Sequence, residues 1–231
     1  MKYVAQLSHV NEISLLGTAD LAYWKQRLEP ENLGPAERDG KAQVLIIAAA
    51  AKFRGLRFRE LSFSILVDPP QGTAGRDAAY LLGAFNSNAF FAFCERTFFS
   101  TPYQAGDVRV STSPLAAITL RRDGQERFRA EMLPASPRAG REPASHAEDA
   151  WEGPVFLPRR PGARDRTGKL FFARVSGKTE RFPFLPLHDS LSIFVPPHGG
   201  ALLSLIDSGF AATEWLVRGA ATHSKSKTVK R

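Results

Sequence analysis

A single cysteine, Cys94, stands among the 231 residues, which excludes a disulfide within the chain. No run approaches the ~18 apolar residues that a membrane-spanning helix needs. The opening "MKYVAQLSHVNEISLLG" has neither the apolar core nor the small-residue cleavage site of a secretory leader. A cytoplasmic protein with no membrane partner is the expectation. Glycine-rich dinucleotide loops, the GxSxG elbow of serine hydrolases and the HExxH helix of zinc proteases are all missing. Two near misses to a phosphate loop fail as well: "GARDRTGKL" has Leu170 where a hydroxyl residue belongs, and "SGKT" has Phe172 where the first glycine belongs. His9, His146, His188, His198 and His223 are scattered and no second cysteine accompanies them, so neither a metal nor a cofactor is expected. Lysine is absent from Phe53 through Gly168. That gap matters most.

What is present is enough to fold. With 43% hydrophobic and 23% charged residues, the chain can bury a real core, and one domain spanning 1–231 is expected. The net charge of +8 is gathered in "PRRPGARDR" (158–166) and the tail "SKSKTVKR" (224–231) rather than in one stripe. Nucleic acid is therefore not an expected partner. The sequence does not reveal the oligomeric state.

Strand signals dominate. "AQVLIIAAAA" (42–51) is a continuous apolar run of the kind found in strands buried on both faces. "LRFRELSFSILV" (56–67) alternates, with Leu61, Phe63, Ile65 and Val67 on one face and Glu60, Ser62 and Ser64 on the other. "AAITLRRDGQERFRAEM" (116–132) predicts a hairpin turning at Asp123–Gly124. "KLFFARVSGKTERFPF" (169–184) predicts another, turning at Ser176–Gly177–Lys178. Residues 133–154, rich in Pro, Ala, Gly and charge, predict a long loop.

Helices are fewer. Asp20 caps "LAYWKQRL", Asn86 or Ser87 caps a helix running to about Phe98, and a third short helix includes Leu202–Ile206. In the second helix Phe90, Phe93, Cys94, Thr97 and Phe98 share a face. Phenylalanines surround Cys94, and Arg96 does not share its face, so core packing is its expected role rather than nucleophilic attack.

Three positions carry more chemistry. Glu60 lies on the polar face of its strand, which is a wet surface in an open sheet and a cavity wall in a closed barrel. Glu95 and Arg96 interrupt an apolar helix, either as a solvated edge or as a buried pair that needs partners.

The pieces fall in a familiar order. The pattern runs through "LLGTADLAYWKQRLEPENLGP", "AQVLIIAAAAKFRGLRFRELSFSILV", "AAYLLGAFNSNAFFAFCERTFFSTPYQAGDV" and "LLSLIDSGFAATEWLVRGAATHSKSKTV". It resembles the acetoacetate decarboxylase-like superfamily over most of the chain. The resemblance implies a mainly β (α+β) fold, a closed cone-like barrel of mostly antiparallel strands with a few short helices around it and a small-molecule cavity within. It also implies a glutamate at Glu60, and a nucleophilic lysine just after the proline of the third segment that forms a Schiff base with a keto acid. Here Pro102 is followed by Tyr103 and Gln104. The arginine of the family's first strand is also missing, with Gly17 near that place. Arginine cannot replace the nucleophile, because it stays protonated.

The expectation is thus a barrel that binds a small carbonyl compound or organic acid without Schiff-base decarboxylation. Glu60, Glu95, Arg96 and Tyr103 are its candidate ligand-binding residues. Whether it is an enzyme stays open. The alternatives are a decarboxylase or lyase with a relocated lysine, Lys52 or Lys169, and a basic interaction protein.

Overall fold

Period-two alternation fixes most of the chain as strand, and the computed structural model describes residues 2–68, 78–134, 141–159, 168–194 and 200–231. The first half runs β1 (Tyr3–Asp20), α1 (Leu21–Leu28), β2 (Glu37–Arg38), β3 (Lys41–Phe53), β4 (Leu56–Val67), β5 (Ala78–Asn86), α2 (Ala89–Phe98) and β6 (Tyr103–Ala105). Then come β7 (Asp107–Ser111), β8 (Ala117–Arg122), β9 (Gln125–Glu131), β10 (Ser145–Leu157) and β11 (Lys169–Pro183). The chain ends with β12 (Ser190–Ile193), α3 (Ala201–Asp207), β13 (Ala211–Ser226) and β14 (Val229–Lys230).

The large sheet closes on itself. Its order is β1–β13–β11–β10–β5–β4–β3, and β3 pairs back onto β1. The ring pairings are antiparallel except the short parallel contact of β10 with β5. A second sheet, β12–β9–β8–β7, lies against one face of it. Phe63 of β4 meets Phe128 of β9 edge-on at 5.5 Å.

Each ring strand divides its residues between two environments. On one face Ile13, Leu15, Val44, Ile46, Leu61, Phe63, Ile65, Trp215 and Val217 join a single apolar core with the second sheet and with Trp24, Leu28, Leu202 and Leu205 of the helices. The other face carries small residues such as Ala49, Ala84 and Ala221 beside larger apolar ones such as Leu81, Leu157 and Phe171. Groups from strands that are not neighbours meet on that second face, so it looks into the ring.

Local signals act as the sequence suggests at several points. The Asp20 carboxylate accepts from Tyr23 N at 2.6 Å and starts α1. Asp123 and Gly124 both take positive φ in the β8–β9 turn, the geometry of a two-residue hairpin. The helix Leu202–Ile206 appears within α3.

Two expectations are corrected. Residues 145–154 are not loop: β10 begins at Ser145 and pairs along β11, so charge and Pro154 ride on a strand. Residues 169–184 are not a hairpin but one strand, β11, whose register against β13 shifts between Ser176 and Thr179. Gly177 sits in that bulge because a Cβ there would lie 3.1 Å from the Ala221 backbone. The basic tail is largely paired structure, 224–226 in β13 and 229–230 in β14. Most of "PRRPGARDR" lies outside the described residues.

Candidate functional site

The inner face of the ring is polar where β1, β4, β6, β11, β13 and α2 converge. Its centre is Glu60, held on β4 opposite the core residue Leu61. The Tyr103 phenol donates to Glu60 Oε2 at 3.2 Å. Burial raises the Glu60 pKa, and the Glu95 charge adds to it, against lowering by His223, Lys225 and the Tyr103 bond. Burial, with the Glu60 and Glu95 charges, likewise holds the Tyr103 phenol well above its ordinary value.

Glu95 points to the same interior from α2. It accepts from Thr101 Oγ1 at 2.8 Å and pairs with Lys225 of β13. The Lys225 ammonium sits 4.5 Å from the Phe171 ring centroid, 4.8 Å from Phe99 and 5.9 Å from Tyr103. Such an aromatic setting favours a desolvated cation by about 0.5–2 kcal/mol. β13 is three steps around the ring from β5, to which β6 pairs. The Lys225 contacts therefore span the ring.

A second group of charges continues along β1 and β13. Glu12 is buried, accepts from Arg218 and from Ser14 Oγ at 2.7 Å, and faces His223 Nε2 at 2.5 Å. Burial alone pushes the Glu12 carboxyl up, but His223 and Arg218 outweigh it and hold its pKa at about 2. His223 moves the opposite way: burial lowers its pKa, and the Glu12 partnership more than restores it, for a net rise. Arg218 also donates to Thr179 at 2.8 Å and reaches Asp149 at 3.4 Å. Asp149 in turn pairs with Arg181 at 2.8 Å, and Arg181 with Glu214 at 3.1 Å. Glu12 and Arg218 are buried and have partners, as burial requires, whereas Asp149, Arg181 and Glu214 are about a third exposed.

Of the residues singled out in the sequence, Glu60, Glu95 and Tyr103 come together. Arg96 does not join them. Its guanidinium donates to the Tyr103 carbonyl at 3.3 Å and lines an open surface groove of about 920 Å³ with Gln104, Arg121 and Arg122. Adjacent residues on a helix point about 100° apart, so Glu95 and Arg96 serve different surfaces. The expected helix cap also moves by one or two positions: Asn88 accepts from Phe90 N and Phe91 N, and Asn86 accepts from Asn88 N.

Cys94 is not core. It is half-buried, and the helix face it shares is open, with Phe90, Phe93 and Phe98 at 63%, 49% and 70% exposure. The helix rests on its opposite side, through Ala92 and Glu95. The apolar run signalled burial, but it surrounds the helix and does not say which side faces the ring.

The two lysines considered as relocated nucleophiles are elsewhere. Lys52 is exposed near the end of β3, and Lys169 donates to Ser100 Oγ at 2.9 Å at an exposed position. The lysine inside the ring is Lys225, which reads in sequence as part of a basic tail. Its signal is the two-residue spacing of Ala221, His223 and Lys225 on one strand face. Gly17 belongs to the core side, where a Cβ would lie 2.3 Å from the Ala211 carbonyl oxygen. A cation does reach the inner face of β1, but it is Arg218, from the neighbouring strand. Asp189, beside His188 in the chain, is structural: it accepts from Trp215 Nε1 at 3.0 Å and from Leu185 N at 2.9 Å, and pairs with Arg141 at 2.5 Å.

The overall geometry is that of known structures. The acetoacetate decarboxylase of Legionella pneumophila superposes with a TM-score of 0.66 at 9% identity, covering 98% of this chain and 86% of that one. An acetoacetate decarboxylase-like enzyme from Sphingomonas wittichii RW1 gives 0.62 at 14% identity, with 100% and 94% covered. The enduracididine biosynthesis enzyme MppR complexed with pyruvate gives 0.61 at 13% identity, with 100% and 91% covered. No family model matches the chain, and no curated protein matches it by sequence. The chain has the acetoacetate decarboxylase-like fold.

Proposed function

We propose that the inner face of the ring binds a small organic acid or carbonyl compound, and that it does so without a Schiff base at the segment after Pro102. The observation that carries this reading is the convergence of Glu60, Tyr103, Glu95 and Lys225 from four elements. A fold that needed only to be stable would fill so narrow a space with apolar side chains, because buried charges cost more than they return unless paired. Tyr103 is a hydrogen-bond donor for a carbonyl or carboxylate oxygen, and the Phe99 and Phe171 rings supply an apolar wall. Arg96 lines the surface groove instead.

The neighbours support the ligand class: one of them is a complex with pyruvate. The test is calorimetric titration with pyruvate, acetoacetate and acetone. At least one binds the wild-type protein. Tyr103→Phe weakens that binding about five- to tenfold, the loss of one hydrogen bond of about 1–1.5 kcal/mol, with the fold intact by circular dichroism. Unchanged affinity in Tyr103→Phe contradicts the placement of the ligand.

A second reading is favoured by Lys225, an amine inside the ring: covalent capture of a carbonyl compound as an imine. Lys225 stands in an ion pair with Glu95, and an ammonium has no lone pair with which to attack. The proton must first pass to Glu95. Borohydride reduction in the presence of acetoacetate, followed by intact-mass and peptide mapping, decides between the readings. No adduct is the expected result, and an adduct on Lys225 establishes the second reading.

A further inference from the structure

We propose that the ring takes its ligand as a monocarboxylate together with one proton, and that Glu60 carries that proton. This inference rests on the ligand-binding reading above and narrows it to a charge type and a coupling.

On the inner face Glu60 stands apart from the ion pairs. Among the described residues, every cation there already faces a carboxylate other than Glu60: Lys225 faces Glu95, His223 and Arg218 share Glu12, Arg218 also reaches Asp149, and Arg181 bridges Asp149 and Glu214. The carboxylates so engaged are Glu95 and Glu12, which are largely buried, and Asp149 and Glu214, which are about a third exposed. Glu60 is the one left over, and its hydrogen-bond partner is a neutral phenol. An ionised Glu60 stands beside the Glu95 charge, with no salt bridge of its own among the described residues, where an anion would have to enter. Protonation removes that charge and converts Glu60 from an acceptor into an O–H donor. The same group that repels a carboxylate then hydrogen-bonds to it.

The surroundings are consistent with a proton at this site. Glu60 is affected by burial and by Glu95, which favour the neutral form, and by His223, Lys225 and the Tyr103 bond, which favour the charged form; the net displacement of its pKa is upward. These groups come from β13, α2 and β6, the elements that meet Glu60 across the ring. No bond is made or broken beyond the proton transfer from solvent.

The experiment is calorimetry with pyruvate, acetoacetate and acetone, in buffer pairs of different ionisation enthalpy, from about pH 5 to about pH 9, where both acids are anions. For the acids, the wild-type protein takes up a proton fraction that rises toward one as the pH passes the Glu60 pKa of the free protein. Affinity there falls about tenfold per pH unit. Acetone, which has no charge to accommodate, binds without proton uptake. Glu60→Gln binds the acids with no uptake and with an affinity flat in pH. If that variant does not fold, Tyr103→Phe serves instead. It removes a bond that favours the charged form, so the onset of uptake moves to higher pH. Uptake that persists unchanged in Glu60→Gln places the proton on another group and overturns the proposal. So does acid binding that shows neither uptake nor pH dependence in the wild type, or binding of acetone alone. The absence of binding by all three compounds contradicts the ligand-binding reading itself.

Discussion

The two faces of β4 differ in kind. On one, Leu61, Phe63 and Ile65 are wholly excluded from water and locked between sheets. On the other, two residues apart, Glu60 and Ser62 look into a narrow space shared with charges from the far side of the ring. The first face reads as stability and the second as chemistry, although the same backbone carries both. What separates them is closure: the polar side of an open sheet is wet, and bending that sheet into a ring forces its polar residues to find one another.

If this division is right, substitutions on the two faces fail differently. The largest effect belongs to the outer core. Phe63→Ala costs about 3–5 kcal/mol in urea denaturation, the usual loss for an emptied aromatic site. Ser62→Ala, its neighbour on the inner face, stays within about 1 kcal/mol. Equal costs would erase the distinction.

Next is the charge knot at Glu12. Glu12→Gln leaves Arg218 and His223 buried without their carboxylate, a loss of about 3–5 kcal/mol. The wild-type protein shows the same dependence through pH. Because the folded pKa of Glu12 is lowered from 4.5 to about 2, its contribution is complete above pH 4.5 and is lost as the pH falls toward 2. The loss is on the order of 3 kcal/mol. His223 acts in the other direction. Its folded pKa is raised above 6.5, so its contribution is complete below that value and fades as the pH rises through the folded one. A stability profile flat from pH 5 down to 2 would contradict the knot.

Much of this architecture was legible. The alternation of β4, the capped first helix and the Asp123–Gly124 hairpin follow from residues close in sequence, and Glu60 was marked by its polar face. Tyr103 is singled out by the resemblance, as the residue that follows Pro102 where the family's decarboxylases carry lysine. What the sequence did not give away depends on distance around the ring. Lys225 and Glu95 are paired across 130 positions, and nothing near either one announces the other. Glu12 and Arg218 face each other on β1 and β13, neighbours in the ring that lie near opposite ends of the sequence. A bulge at Gly177 imitates a turn, because one glycine and two polar neighbours serve either purpose until the partner strand is known.

Smaller effects probe α2. Asn88→Ala removes a side chain that accepts from two backbone N–H groups and costs about 1 kcal/mol. Cys94→Ala changes stability by no more than about 0.5 kcal/mol, as for an incompletely buried side chain. A thiol-reactive dye labels the folded protein at a rate close to that of the unfolded chain. Labelling more than a hundredfold slower than in the unfolded chain, a gap of about 2.7 kcal/mol in apparent protection, would return Cys94 to the core.

One measurement tests the central claim most directly: the crystal structure of the protein soaked with pyruvate. Density is expected inside the ring, with an oxygen within hydrogen-bond reach of Tyr103 and Glu60. Density confined to the surface groove at Arg96, Arg121 and Arg122, with the ring interior unchanged, would contradict it.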